Sequence, residues 1–360
     1  MRKIKIAHLH VWDKKNKGDL AIVLAVQELL KTNFSGCQII DFPVSLLKDG
    51  KPSDINKINQ ADFVIIGGGG IFYSYFLPYN KEFIKAIDKP IIIFGAGYIK
   101  EVDAPELKKE AVKSVAFLAR QAKLVGVRDN NTKKFLVKNG VPASKVQVVG
   151  DPAALLKEKK PTIVKLKSLK LDNQKNNLSK KKIPFRIGLN LNYSGWLGFG
   201  KWHDDILNAY REVAEYFQKE YGGRDGQGAQ VYYLKHHPGE DNIYPELKIK
   251  NLEIVDLKPV EQKYVYGRLD MIVGMMLHVG VMSFGAGTPE VSVAYDLRNH
   301  SFAEYIKHPE LVVDLETLKK GELLKRAKMV WNKKEKYQKE FTKIKKRIAD
   351  KQEVFLKKII

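Results

Sequence analysis

The stretch ADFVIIGGGG, residues 61–70, decides the fold. Its run Phe63-Val64-Ile65-Ile66 has no polar alternation, and it stops abruptly at four glycines. A short, continuous apolar run is what a strand buried on both faces requires, and such strands belong to parallel sheets covered by helices. Glycines at the strand end remove side chains, so that backbone amides can approach a ligand in the loop that follows. The same signature recurs in KIKIAHL (3–9), CQIIDF (37–42), KPIIIFGAG (89–97), AKLVGVRD (122–129) and KVQVVGDPA (145–153), mostly closing on Gly or Asp. GDLAIVLAVQELLK (18–31) and NTKKFLVKNG (131–140) carry apolar residues at helical spacing, the second with a glycine stop. Alternating buried strands and helices predict a doubly wound α/β sheet.

The pattern then restarts. FRIGLNLNY (185–193), QVYYLKHH (230–237), LEIVD (252–256), DMIVG (270–274) and EVSVAYD (290–296) read as strands. Residues 202–221, 259–269 and 277–287 read as helices, and GGRDGQGA (222–229) as a turn. The expected organisation is a Rossmann-like domain over 1–156, a basic linker over 157–184, a second Rossmann-like domain over 185–314, and a basic helical tail over 315–360. In the tail, Phe341, Ile344, Ile348, Phe355 and Ile359 fall near one helical face, interrupted by Gln352. Packing of that face back onto the body is the expectation.

The chain has 360 residues, enough for two cores, and a formal charge of +22. Residues 157–186 hold 11 Lys and Arg against two acids, and residues 319–360 hold 16 against five. The body is therefore nearly neutral. No base-reading module accompanies the charge, which argues against a nucleic-acid partner. A solvated lysine face or peripheral contact with an anionic membrane surface accounts for it. Cys37 is the sole cysteine and cannot form an internal disulfide. MRKIKIAHLH reads as a first strand and not a signal peptide, and no window approaches a membrane span. A cytoplasmic location follows as the expectation, with the inner face of the membrane as a place of peripheral contact.

Several motifs invite chemistry. Gly68 and Gly69 in GGGG, and Gly95 and Gly97 in GAG, are not dinucleotide fingerprints, because the third glycine positions hold Phe72 and Lys100. Arg128 in VRDNNT is a candidate anion ligand; Asp129 beside it either caps the next helix or serves as an acid/base group. Asp151 in GDPA is a turn residue at a strand end. In LKHHPGED, Lys235 and His237 are candidates, and strand alternation lets at most one of His236 and His237 face a given site. The LKHHPGED spacing is not a zinc pattern and the chain has one cysteine, so no metal is expected, and no cofactor is expected either. In GMMLHVGVMSFGAG (274–287), His278 is either a core imidazole or a general acid/base at a helix start.

Taken in order, NKGDLAI, ADFVIIGGGG, IIIFGAGYI, VGVRDNNTKKFLVKNG, VVGDPAALL, DMIVGMMLH and TPEVSVAYDLRNHSF resemble the polysaccharide pyruvyl transferase family from about Asn16 to Phe302. The resemblance implies two Rossmann-like domains facing a cleft, similar to the GT-B architecture. It implies transfer of pyruvate from phosphoenolpyruvate, as co-substrate, onto two hydroxyls of a lipid- or nucleotide-linked sugar of a capsule, exopolysaccharide or cell-wall precursor. His278 would be the acid/base residue and Asp129 a second. Arg128, Lys235, His237, Arg268 and Arg298 would bind the donor anion, with Gly18, Asp19, Gly68, Gly69, Gly95, Gly97, Asp151 and Asp296 in cleft loops. The family usually reads Arg-Leu-His where this chain has Met276-Leu277-His278. Two other readings follow from the same features: a GT-B-like glycosyltransferase using a nucleotide-sugar, and a non-catalytic glycan- or partner-binding member.

Overall fold

A computed structural model describes residues 3–102, 104–171, 185–192, 199–221 and 229–359. The chain divides into two compact units. The first comprises 1–14, 19–156 and 345–360; the second comprises 15–18 and 157–344. This differs from the expected organisation in three places. Residues 15–18 count with the second unit, the tail is shared between the two, and the segment starting at Lys157 belongs to the second unit. That last segment is anchored by buried Leu166, Leu169 and Leu171. Tyr232 Oη donates to the Leu169 carbonyl at 3.0 Å. The rest of the expected linker, 172–184, and the expected turn at 222–228 lie outside the described residues.

The first unit is a six-stranded sheet, every pairing parallel. Its strands are β1 (Lys5–His10), β2 (Gln38–Pro43), β3 (Phe63–Phe72), β4 (Ile91–Tyr98), β5 (Leu124–Val127) and β6 (Val146–Val148), in spatial order β2-β1-β3-β4-β5-β6. The glycine run is not a loop: all four glycines lie inside buried β3. Positive φ at Gly67, Gly68 and Gly69 bends the strand, and its register with β4 shifts between Gly69 and Phe72. Helix Lys17–Asn33 covers one face through Val26 and Leu30, which share a core with Ile6, Ile65 and Phe94. Helix Lys109–Gln121, unread in the sequence, buries Ala111, Val115, Leu118 and Ala119 in the core on the opposite side.

The second unit has β7 (Arg186–Leu189), β8 (Gln230–Leu234), β9 (Leu252–Val255), β10 (Met271–Gly274), β11 (Glu290–Ala294) and β12 (Val312–Asp314), ordered β12-β11-β10-β7-β8-β9, again all parallel. Renumbered within the unit, this is the 3-2-1-4-5-6 order of a Rossmann sheet. Each unit is thus a Rossmann-like α/β layer, as a GT-B fold requires.

The tail ends in helix Lys334–Leu356. Phe341 and Ile344 are buried in the second unit; Ile348, Phe355 and Ile359 are buried in the first. Phe355 stacks on Phe94 at 5.6 Å, and a Cβ on Gly126 would come within 2.9 Å of its ring. Gln352, the polar interruption, is fully buried and its Nε2 donates to the Val149 carbonyl at 3.3 Å. The apolar face is spent on packing, so it offers nothing to a lipid surface. Among the described residues, no helix is long and apolar enough to cross a membrane.

Candidate active site

In open parallel sheets, ligands bind beyond the carboxyl ends of the strands, most often where strand order reverses. Each unit places a different kind of side chain there.

In the first unit, Arg128 follows β5 and is 4% exposed. Gly97 makes room for it, since a Cβ there would lie 2.1 Å from Arg128 Nε. Nε donates to Asp129 Oδ2 at 3.3 Å, and Nη1 stands 3.9 Å from Asp151 Oδ2. Nη1 and Nη2 have no hydrogen-bond partner among the described residues. A buried guanidinium with two idle nitrogens is costly, and a bidentate carboxylate or phosphate would satisfy it. Asp129 does not fit an acid/base role. Its Oδ1 caps helix Asn130–Lys138 by accepting from Thr132 N at 2.7 Å, and its Oδ2 serves Arg128. Asp151 likewise accepts from Ala153 N at 2.9 Å, and Gly95 packs against Pro152. Gly68 packs against Val26 and Ile22, and Gly69 against Val11 and Asp19.

In the second unit, the order reverses between β7 and β10. Asn190 and Asn192 follow β7; Met275, Met276 and His278 follow β10. Asn190 ties the two together, its Oδ1 accepting from Met276 N at 3.1 Å while Nδ2 donates to the Leu234 carbonyl at 2.9 Å. Met276 is the N-cap residue of helix Leu277–Ala286 and is 7% exposed. His278, in the first turn of that helix, is buried, and Gly18 lies flat against its ring. A Cβ on Gly18 would fall 2.5 Å from His278 Nδ1.

A polar network lies beside this imidazole. Glu240 is fully buried; Oε1 accepts from His236 N at 2.9 Å and His237 N at 2.6 Å, and Oε2 from Tyr233 Oη at 2.8 Å. Burial pushes its carboxyl up to about 8, against these bonds and the charge of Lys17. His236 bonds Tyr266 Oη through Nε2. Burial, then the charges of Lys17 and His278, hold its imidazole well below the usual range. Lys17 Nζ donates to the Lys235 carbonyl at 2.6 Å, Asp256 Oδ1 at 2.7 Å and Gln262 Oε1 at 3.0 Å. Burial lowers the pKa of this lysine.

The expected anion ligands separate accordingly. Lys235 pairs with Asp241 at 2.7 Å and Asp256 at 3.4 Å. His237 turns away from the network, its Nδ1 accepting from Gly239 N at 2.9 Å; His236 is the inward histidine. Arg298 opens the helix after β11, with Nε on Asp296 Oδ2 at 2.6 Å and Nη2 on Tyr295 Oη at 2.6 Å. Asp296 is itself the cap of that helix. Arg268 is exposed and precedes β10, so it lies at the opposite strand end from His278 and cannot stand in for an arginine at 276. Lys17 and Glu240 are not candidates in the sequence, and of the two histidines weighed there His236, not the expected His237, is the fully buried one. Lys17 was legible only as part of NKGDLAI, and Glu240 looked like a loop acid.

The polysaccharide pyruvyl transferase family matches residues 16–296. No curated protein matches the sequence significantly. Among solved structures, S. aureus MnaA with UDP is 14% identical, with TM-score 0.59, covering 91% of this chain and 87% of that one. Methanocaldococcus jannaschii UDP-GlcNAc 2-epimerase, bound to UDP-GlcNAc and UDP, is 12% identical, with TM-score 0.56 and coverage of 92% and 93%. The trehalose-6-phosphate synthase OtsA is 11% identical, with TM-score 0.59 and coverage of 99% of both chains. At these identities the likeness is one of fold, and the fold is GT-B.

Proposed function

We propose, from the premise that the chain belongs to the polysaccharide pyruvyl transferase family, that it transfers pyruvate from phosphoenolpyruvate onto a sugar of a glycan precursor as a cyclic ketal. The observation that carries this reading is Arg128, buried with two nitrogens unfilled at the sheet edge. Phosphoenolpyruvate offers both a carboxylate and a phosphate, either of which fits the fork.

The chemistry sets the remaining requirements. C3 of the enol takes a proton and becomes the methyl group. One sugar hydroxyl attacks C2, phosphate leaves from C2, and the second hydroxyl closes the ring. Of the two hydroxyl protons, one ends on C3 and the other on phosphate. An imidazole suits such two-way traffic, and His278 is the group held at a strand-order reversal for it. Lys17, Glu240 and His236 act as positioning residues around it.

The test is phosphate release from phosphoenolpyruvate with a panel of nucleotide- and lipid-linked sugars. Release above background with at least one acceptor, lost in His278→Ala, supports the reading. No release with any acceptor counts against it. Similarly folded MnaA and a UDP-GlcNAc 2-epimerase are solved with UDP, which keeps a nucleotide-sugar donor as the competing reading. Binding of UDP but not of phosphoenolpyruvate would favour that reading.

A further inference from the structure

Both histidines of KIAHLH, on β1, lie away from the groups discussed so far. Strand alternation puts His8 and His10 on one face, that of Ile6 and helix Lys17–Asn33. The β1–β2 register sets Asp41 directly opposite His8. The three side chains bring one donor atom each within 4.8 Å of one another.

The tautomers are fixed from outside. His8 Nε2 is 3.1 Å from the Gly67 carbonyl, and His10 Nδ1 is 2.8 Å from the Val11 carbonyl. A carbonyl only accepts, so each of these nitrogens carries the proton. The bare nitrogens, His8 Nδ1 and His10 Nε2, both turn to Asp41 Oδ1, at 3.7 Å and 3.2 Å. Gln27 Nε2 donates to the same oxygen at 2.8 Å. His8 Nδ1 is buried and has no hydrogen-bond partner among the described residues. Two imidazole nitrogens and a carboxylate oxygen thus converge on one spot. Three Lewis bases pointing at one spot call for a cation.

The spacing fits. Metal–ligand distances of about 2.0–2.1 Å put neighbouring donors of a tetrahedral ion about 3.3 Å apart. Backbone carbonyls behind both imidazoles and an amide behind the carboxylate are the outer-shell partners that orient such ligands. We propose that His8, His10 and Asp41 bind a divalent transition-metal ion, zinc above others, with one coordination position left for water or an exogenous ligand. Two imidazoles and one carboxylate are a common donor set for catalytic zinc, and the Asp41 side chain, 37% exposed, leaves a way in. The site sits at the carboxyl end of β1, beside β3, where the order of the first sheet reverses. It rests on none of the reasoning about pyruvyl transfer. The expectation of no metal rested on the single cysteine and the LKHHPGED spacing, neither of which concerns β1.

The experiment uses the untagged full-length chain, stripped with a chelator and titrated with Zn(II) by calorimetry. One equivalent is expected to bind, at least tenfold more weakly in His10→Ala and in Asp41→Asn. Trp12 stacks on His10 at 5.2 Å, so Co(II) should quench tryptophan fluorescence and give tetrahedral visible absorption. The quench should disappear in Trp12→Phe. If His10→Ala fails to fold, Asp41→Asn, half-exposed and unchanged in size, decides. Absence of Zn(II) binding by the wild-type chain, or equal binding by Asp41→Asn, overturns the proposal.

Discussion

The two sheet edges are built on opposite principles. At the carboxyl edge of the first unit, a buried arginine keeps two nitrogens idle among the described residues, while Asp129 and Asp151 each spend one oxygen on a cap and turn the other toward it. At the carboxyl edge of the second, Asn190, Glu240 and Lys17 around His278 are tied into side-chain and backbone hydrogen bonds. Unfilled donors can bind an anion. On the proposed function, donor-anion binding falls to Arg128 and proton transfer to His278.

Substitutions can break this division. The largest effect is expected from His278→Ala. Its kcat should fall about 10²–10⁴-fold, the usual worth of a general acid/base, while affinity for phosphoenolpyruvate stays the same; steady-state kinetics with binding measured separately check both. Arg128→Ala should do the reverse. It removes charge-assisted hydrogen bonds worth about 1.5–3 kcal/mol, so Kd for phosphoenolpyruvate should rise roughly 10- to 100-fold. The two close-approach glycines sharpen the contrast. Gly97→Ala pushes into Arg128 and should weaken anion binding about tenfold; Gly18→Ala pushes into His278 and should lower kcat by a similar factor with Kd unchanged.

The smallest effect on activity concerns Glu240, and it is read as stability. Its carboxyl is raised from 4.5 to about 8, so the folded state holds a proton there that the unfolded chain has released. The stabilisation is complete below pH 4.5 and is lost as pH rises through about 8. Glu240→Gln keeps its neutral form at every pH. The stability of wild type relative to the variant should therefore fall between those values, by up to about 1.4 kcal/mol per pH unit. Denaturant titrations at pH 5 and pH 8 measure it, and a constant difference would contradict the assignment. Glu290, pushed well above the carboxylate range by burial, has the same sign in both proteins and cancels.

Most strands were legible because a sheet covered on both faces demands apolar runs, as in FVII of β3 and III of β4. Helix Lys109–Gln121 was not, since its buried face is largely alanine. The glycine run read as a loop because four glycines break most strands; here positive φ is absorbed as a bulge between paired neighbours. The tail's apolar face was visible, but not that it divides between two cores or that Gln352 has backbone acceptors waiting. Alternation said that only one of His236 and His237 faces inward, and only the packed sheet says which. Asp41 joins His8 through strand register, which no local pattern encodes.

The central claim is that Arg128 holds the donor anion. Calorimetry of phosphoenolpyruvate with wild type, Arg128→Ala and His278→Ala tests it most directly. The expected result is binding to wild type and His278→Ala alike, weakened tenfold or more in Arg128→Ala. Equal binding to wild type and Arg128→Ala would contradict it.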